Sequence, residues 1–184
     1  MKRALHMIVV LTLTAAIIGS LLAFVFAATW PTIQRNERAE LERAVYRVLP
    51  GAQRFEEAAS GDFSLYRGYD ENDALVGIAV RAQGTGFQDV ISLMAGFSAD
   101  CDTVLGLRVL KQLETPGLGA KIDGEEFLNQ FQGLALAPKV AVVKGGILDR
   151  ATGRVEAITG ATISSKAVEG IVNNALDAAR KAGG

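Results

Sequence analysis

The chain opens on an unbroken apolar stretch. From Met7 to Ala28 no residue is charged, and no face of a helix built there is polar. At about 1.5 Å per residue the stretch covers roughly the 30 Å hydrocarbon core of a bilayer. Thr12, Thr14 and Ser20 interrupt it only mildly, because their hydroxyls bond back to helix carbonyls. Trp30 follows where an interfacial aromatic belongs, and Pro31 predicts the end of the helix. The run exceeds the roughly 7–15 apolar residues of a cleaved signal. A retained anchor is therefore favoured, with cleavage after Val25-Phe26-Ala27 as the alternative. Lys2 and Arg3 precede the run, which predicts the N-terminus inside and the rest of the chain on the extracytoplasmic (periplasmic) side of the inner membrane.

The pattern then changes. Thr32 to Val48 reads as a highly charged helix with a thin apolar stripe of Ile33, Leu41, Ala44, Val45 and Val48, ended by Pro50-Gly51. Strand-like runs follow at 63–69, 74–82, 89–97 and 103–110, with Gly84-Thr85-Gly86 as a turn. A short helix is expected over 123–131, capped by Asp123, and another strand over 139–144. The last helix is expected over 163–181, with Val168, Ile171, Val172, Ala175, Leu176 and Ala179 on one face. Runs of strands with a few flanking helices predict an α+β fold with a mostly antiparallel sheet behind an N-terminal transmembrane helix. The expected division is an anchor over 1–30, a helical stalk over 31–52 and one domain over 53–184.

Composition narrows the chemistry. Of 184 residues 49% are apolar, enough for a core in one domain after the anchor. Residues 31–184 hold 17 of the 19 basic residues and all 20 acidic ones, a net of −3. That surface offers no basic face for nucleic acid. Cys101 is the only cysteine, which excludes an internal disulfide and any zinc or iron–sulfur cluster held by this chain alone. His6, beside the apolar run, is the only histidine, so no His-dependent triad or His metal site is expected in the domain. No catalytic acid–base pair stands out.

One segment carries candidate chemistry. Glu156-Ala157-Ile158-Thr159-Gly160-Ala161-Thr162 leads straight into the final helix. Gly160 and Ala161 keep the backbone thin enough for a bulky group to approach. Thr162 offers a hydroxyl at a helix N-terminus, where free N–H groups and the positive dipole end suit a phosphate, and Ser164 and Ser165 add donors nearby. By composition alone the segment is also an ordinary turn with a helix cap.

The segment resembles the flavinylation site of the FMN-binding domain family, whose members include the G subunit of Rnf electron-transport complexes and the C subunit of sodium-pumping NADH:quinone reductases. The family pattern is Asp-x-x-Ser/Thr-Gly-Ala-Thr, with FMN joined to the last Thr as a phosphoester. The resemblance thus implies covalent FMN on Thr162, within a motif of Glu156, Thr159, Gly160 and Ala161. Glu156 stands where the family has Asp. A second stretch, Glu114-Thr115-Pro116-Gly117-Leu118-Gly119, is similar to the family's Glu-Thr-Pro-Gly-Leu-Gly loop and lies about 43 residues before Thr162. It implies flavin contacts from Glu114, Thr115, Gly117, Leu118 and Gly119. Gln112 stands where members often have His. Gly84-Thr85-Gly86-Phe87 is similar to a further family turn. The likeness spans about residues 77 to 180.

What the resemblance implies is an electron carrier, a redox subunit of a translocase that is not catalytic by itself. It implies partners among the integral membrane, iron–sulfur and flavin subunits of an Rnf-type ferredoxin:NAD complex, and a flavin transferase for maturation. The alternatives are an NqrC-like subunit and a flavin-free anchored assembly domain. Lys111 and Lys121 flank the glycine loop and are candidates to stabilise charge on a reduced flavin.

Overall fold

The computed structural model describes residues 2–60, 63–136 and 138–183. The chain divides into two compact units, Met1–Leu41 and Glu42–Gly184.

The first helix, α1, runs Lys2–Val48, through both the apolar run and the charged stretch after it. Its apolar part is long enough to cross a membrane. Pro31 lies inside α1 and does not end it. The ring removes one N–H, the one that would reach the Ala27 carbonyl, but helix-forming residues on both sides carry the turn through. Within the first unit, the Thr14 hydroxyl donates to the Val10 carbonyl at 2.9 Å and Thr29 to Val25 at 2.8 Å. The Phe26 and Trp30 rings meet one turn apart, centroids 5.1 Å apart and tilted by 34°.

The second unit is built on a six-stranded antiparallel sheet in sequence order: β1 (Arg54–Ser60), β2 (Phe63–Tyr69), β3 (Leu75–Thr85), β4 (Val90–Ser98), β5 (Thr103–Lys111) and β6 (Leu134–Ala135). The mostly antiparallel α+β architecture is as the pattern predicts. β1 has no counterpart among the expected strands, because Arg-Phe-Glu-Glu-Ala-Ala-Ser lacks the β-branched residues that signal one; pairing with β2 supplies its structure. β3 continues through Gly84 and Thr85, so only Gly86 begins the turn, its N–H bonding the Asp89 carbonyl at 2.8 Å. A 3-10 turn spans Gly119–Asp123 and α2 only Glu125–Leu128. Asp123 therefore does not cap α2; Gly124 holds that position without a side-chain bond. A separate parallel pair joins β7 (Ala141–Val143) to β8 (Arg154–Glu156), and α3 runs Thr162–Gly183.

Both faces of the large sheet are covered. The α3 stripe of Val168, Ile171, Val172, Ala175, Leu176 and Ala179 is buried and joins the main core. The other face receives the end of α1 and the residue after it, with Val45, Val48 and Leu49 fully buried. The sheet makes room with glycines: a Cβ on Gly96 would run into the Val48 carbonyl oxygen, and one on Gly68 would lie 2.7 Å from the Leu49 side chain. The last turn of the charged helix is thus part of the domain's packing. β4, covered on both sides, is buried along most of its length, with Ile91, Leu93, Met94, Ala95 and Phe97 all in the interior.

Candidate functional site

The site forms where the parallel pair feeds α3. Val143 pairs with Glu156, and the Ala157 N–H extends the ladder to the Val143 carbonyl at 2.9 Å. The chain then turns tightly: the Ala161 N–H bonds the Ile158 carbonyl at 2.9 Å, and Gly160 takes φ +83°. That conformation is open to glycine and strained for other residues. Ser165 locks the turn from the helix side. Its hydroxyl accepts the Ile158 N–H at 3.1 Å and donates to the Ala161 carbonyl at 2.9 Å. Thr162 emerges as the first residue of α3, half-buried.

The Glu114–Gly119 loop comes up beside it. Gly117 takes φ +76°, and the Leu118 and Ala120 N–H groups both return to the Thr115 carbonyl at 3.1 Å. Leu118 reaches the 158–161 turn: a Cβ on Gly160 would lie 3.2 Å from Leu118 Cδ2. Gln112 acts within the loop, its side-chain oxygen accepting the Glu114 N–H at 2.8 Å.

Glu114 is buried, 4% exposed. Its Oε1 accepts the N–H groups of Gln88 (3.0 Å) and Asp89 (3.4 Å), and its Oε2 those of Phe87 (3.2 Å) and the Ser164 hydroxyl (2.5 Å). Burial alone would push this carboxyl upward, but the Ser164 hydroxyl and the three backbone donors outweigh it and hold Glu114 below its ordinary value. The carboxylate leaves no room around itself. A Cβ on Gly86 would run into Oε1, and one on Gly119 would meet Oε2 at 2.9 Å and Ser164 Oγ at 2.8 Å. Glu114 thus joins the 86–89 turn, the glycine loop and the start of α3.

These pieces enclose a cavity of about 450 Å³, within the size range of small-molecule sites. Eight of the residues expected at the site line it: Glu114, Thr115, Leu118, Gly119, Thr159, Gly160, Ala161 and Thr162. Phe87, Lys144, Ile163 and Ser164 complete the wall. Gly117 and Glu156 are not in that wall. Gly117 shapes the loop, and Glu156 lines a neighbouring cavity of about 470 Å³ with Lys121, Glu126, Phe127 and Gln130. The Gln130 amide holds Glu156 by its backbone, accepting its N–H at 2.8 Å and donating to its carbonyl at 3.5 Å. Lys144 is not singled out by the sequence, because Lys139–Lys144 reads only as a strand; its one signal is the adjacent Gly145-Gly146 turn. Among the described residues no cluster of His, Cys, Asp or Glu is arranged to hold a metal ion.

The wall fits FMN. Phe87, Leu118 and Ile163 are large apolar side chains left 65%, 47% and 59% exposed around the opening, surface that a planar ring would cover. Gly119 and Gly160 keep the backbone thin on two sides, and the first N–H groups of α3 have no partner within the helix.

Comparison with known proteins shows the family to which the chain belongs. Residues 86–177 match the FMN-binding domain family. The G subunit of the ion-translocating oxidoreductase complex of Methanosarcina acetivorans is 34% identical over 184 residues, covering 96% of this chain and 94% of that protein. The G subunit of the Na(+)-translocating ferredoxin:NAD(+) oxidoreductase complex of Acetobacterium woodii is 31% identical, covering 91% of this chain and 87% of its own length. Among solved structures, the C subunit of the Na(+)-translocating NADH-quinone reductase from Parabacteroides distasonis superposes with a TM-score of 0.64, covering 79% of this chain and 92% of that one at 21% identity, a likeness of fold. This chain belongs to the FMN-binding domain family, alongside the G subunits of ion-translocating oxidoreductase complexes.

Proposed function

We propose that the chain is the G-type electron-transfer subunit of a membrane-bound, ion-translocating ferredoxin:NAD oxidoreductase complex, with FMN joined through its phosphate to Thr162. The observation that carries this reading is one cavity: the Thr162 hydroxyl, at the first turn of α3, shares it with Thr115, Leu118 and Gly119 of the glycine loop. The matches to G subunits over most of their own length favour this reading over an NqrC-like subunit.

FMN supplies the redox chemistry when bound. The chain's own residues bind and orient it. The free N–H groups and dipole of α3 favour the phosphate. Leu118 and Phe87 would cover apolar ring surface, and the Thr115 hydroxyl, which donates its proton to Gln88 Oε1 at 3.2 Å, would offer its lone pairs to the polar edge. For attachment, the Thr162 oxygen forms the bond to phosphorus and its proton passes to solvent. A flavin nucleotide carrying an activated phosphoanhydride is the donor, and that bond breaks with the leaving nucleotide taking the electron pair. The segment from Glu156 to Ala161 is what the flavin transferase recognises, with the Gln130 grip keeping Glu156 in position. α1 anchors the chain, and Lys2 and Arg3 hold its N-terminus on the cytoplasmic side, leaving the flavin domain extracytoplasmic. A covalent tether keeps a cofactor there that would otherwise diffuse away. The domain relays electrons between the iron–sulfur and flavin centres of its partner subunits.

The test is the mass of the intact chain purified from membranes of cells that also make the flavin transferase. The expected result is an increment of FMN less one water, with flavin fluorescence surviving a denaturing gel. An unmodified mass defeats the reading and leaves a flavin-free assembly domain.

A further inference from the structure

β7 and β8 are parallel, so the chain leaves both strands at the same end of the small sheet. Lys144 follows Val143, and the segment leading to Thr162 follows Glu156. The Val143–Glu156 register and the bond from the Ala157 N–H to the Val143 carbonyl at 2.9 Å tie the two exits together. Strand pairing itself therefore delivers Lys144 to the Thr162 cavity.

Only two residues in the cavity wall carry charge, Glu114 and Lys144. The Glu114 oxygens are engaged by four protein donors. Lys144 is exposed, and none of the ion pairs among the described residues involves it. The two lysines that flank the glycine loop in sequence are elsewhere. Lys111 ends β5 outside this wall, and Lys121 lines the neighbouring cavity.

We propose that Lys144 biases the redox equilibrium of a flavin held in this cavity toward its reduced, negatively charged form. The inference rests on the FMN reading above. An oxidised ring that gains two electrons and one proton acquires one negative charge; the electrons come from a reduced redox partner and the proton from water. An ammonium group sharing the cavity stabilises that charge by Coulomb attraction, and because Lys144 is exposed, solvent screening keeps the effect modest. The effect depends on the sign of the charge and not on one hydrogen-bond geometry, so arginine replaces lysine and glutamate reverses the bias.

The experiment uses the full-length protein, loaded in cells that make the transferase and purified in detergent. Loading is first read by mass. Dithionite then supplies the electrons in a titration against a dye of known potential. At the midpoint of the unaltered protein, Lys144→Gln lowers the reduced-to-oxidised ratio about three- to tenfold, and Lys144→Glu lowers it further. Lys144→Arg keeps the ratio within about twofold, and Lys121→Gln leaves it unchanged. Equal ratios in unaltered protein, Lys144→Gln and Lys144→Glu overturn the inference. So does a Lys144→Gln chain that fails to load, since the lysine would then serve attachment. Failure of the unaltered chain to gain the FMN mass is a separate result, seen before any titration, and it removes the FMN reading together with this one.

Discussion

The carboxylate of Glu114 accepts the hydroxyl of Ser164 at 2.5 Å across 50 residues of chain, and this bond sews the glycine loop to the first turn of α3. Three backbone N–H groups of the 86–89 turn fill the remaining acceptor positions. A cavity assembled from three loops needs such a joint, because loops alone carry little packing to hold them in register.

Glu114→Gln puts an amide NH₂ where the site supplies only donors. It is expected to destabilise the full-length protein in detergent by about 1–3 kcal/mol, read from denaturant unfolding, with lower FMN content. Unchanged stability and loading would show that the joint is dispensable.

The pH dependence follows from the same group. Its pKa is below the ordinary 4.5 in the folded chain, so the unfolded chain binds a proton first as pH falls. The stabilisation is present above that ordinary value and is lost as pH drops through the lower folded value. Thermal unfolding compared at pH 7 and in the acid range should therefore show a larger acid-induced loss for the unaltered chain than for Glu114→Gln.

The three hydroxyls at the start of α3 should separate by role. Thr162→Ala is expected to abolish the FMN mass increment while leaving the fold intact. Ser164→Ala and Ser165→Ala keep the increment, but each loses hydrogen bonds within the joint or the 158–161 turn and costs about 1 kcal/mol or more of stability. Mass spectrometry and unfolding on the same samples separate the two effects. Loss of the increment in Ser164→Ala with retention in Thr162→Ala would move the attachment point.

Glu156 offers a contrast, because its side chain is exposed and makes no hydrogen bond among the described residues; only its backbone is held. Glu156→Ala should change stability by no more than about 0.5 kcal/mol. If the transferase reads this acid, the initial rate of FMN loading falls about tenfold, the loss expected for one charged contact. A time course of gel fluorescence at limiting transferase measures it, and an unaltered rate removes Glu156 from recognition.

Gly96→Ala tests the seat of the last turn of α1 on the sheet. The added methyl runs into the Val48 carbonyl oxygen, and backbone cannot swing aside as a side chain can. A loss of about 1–3 kcal/mol is expected from unfolding curves, without direct effect on the chemistry at Thr162.

Some of this protein was legible in one dimension, because periodicity and local chemistry are one-dimensional signals. The apolar run of α1, the buried stripe of α3 and the central strands announce themselves by which residues repeat at which spacing. The Thr-Gly-Ala-Thr and Glu-Thr-Pro-Gly-Leu-Gly stretches named most of the cavity wall through their likeness to a family. Pairing across long separations was not legible. β1 exists because β2 offers it an edge, and Pro31 sits within a helix because its flanks outweigh one lost bond. Glu114 turned out to be a saturated structural joint, and Lys144, silent in sequence, stands in the cavity because a parallel register carries it there. Side-chain periodicity reports what each segment buries. Only the closed chain decides which distant donors and charges meet, since those contacts are set by sheet order and loop closure, which leave no local trace.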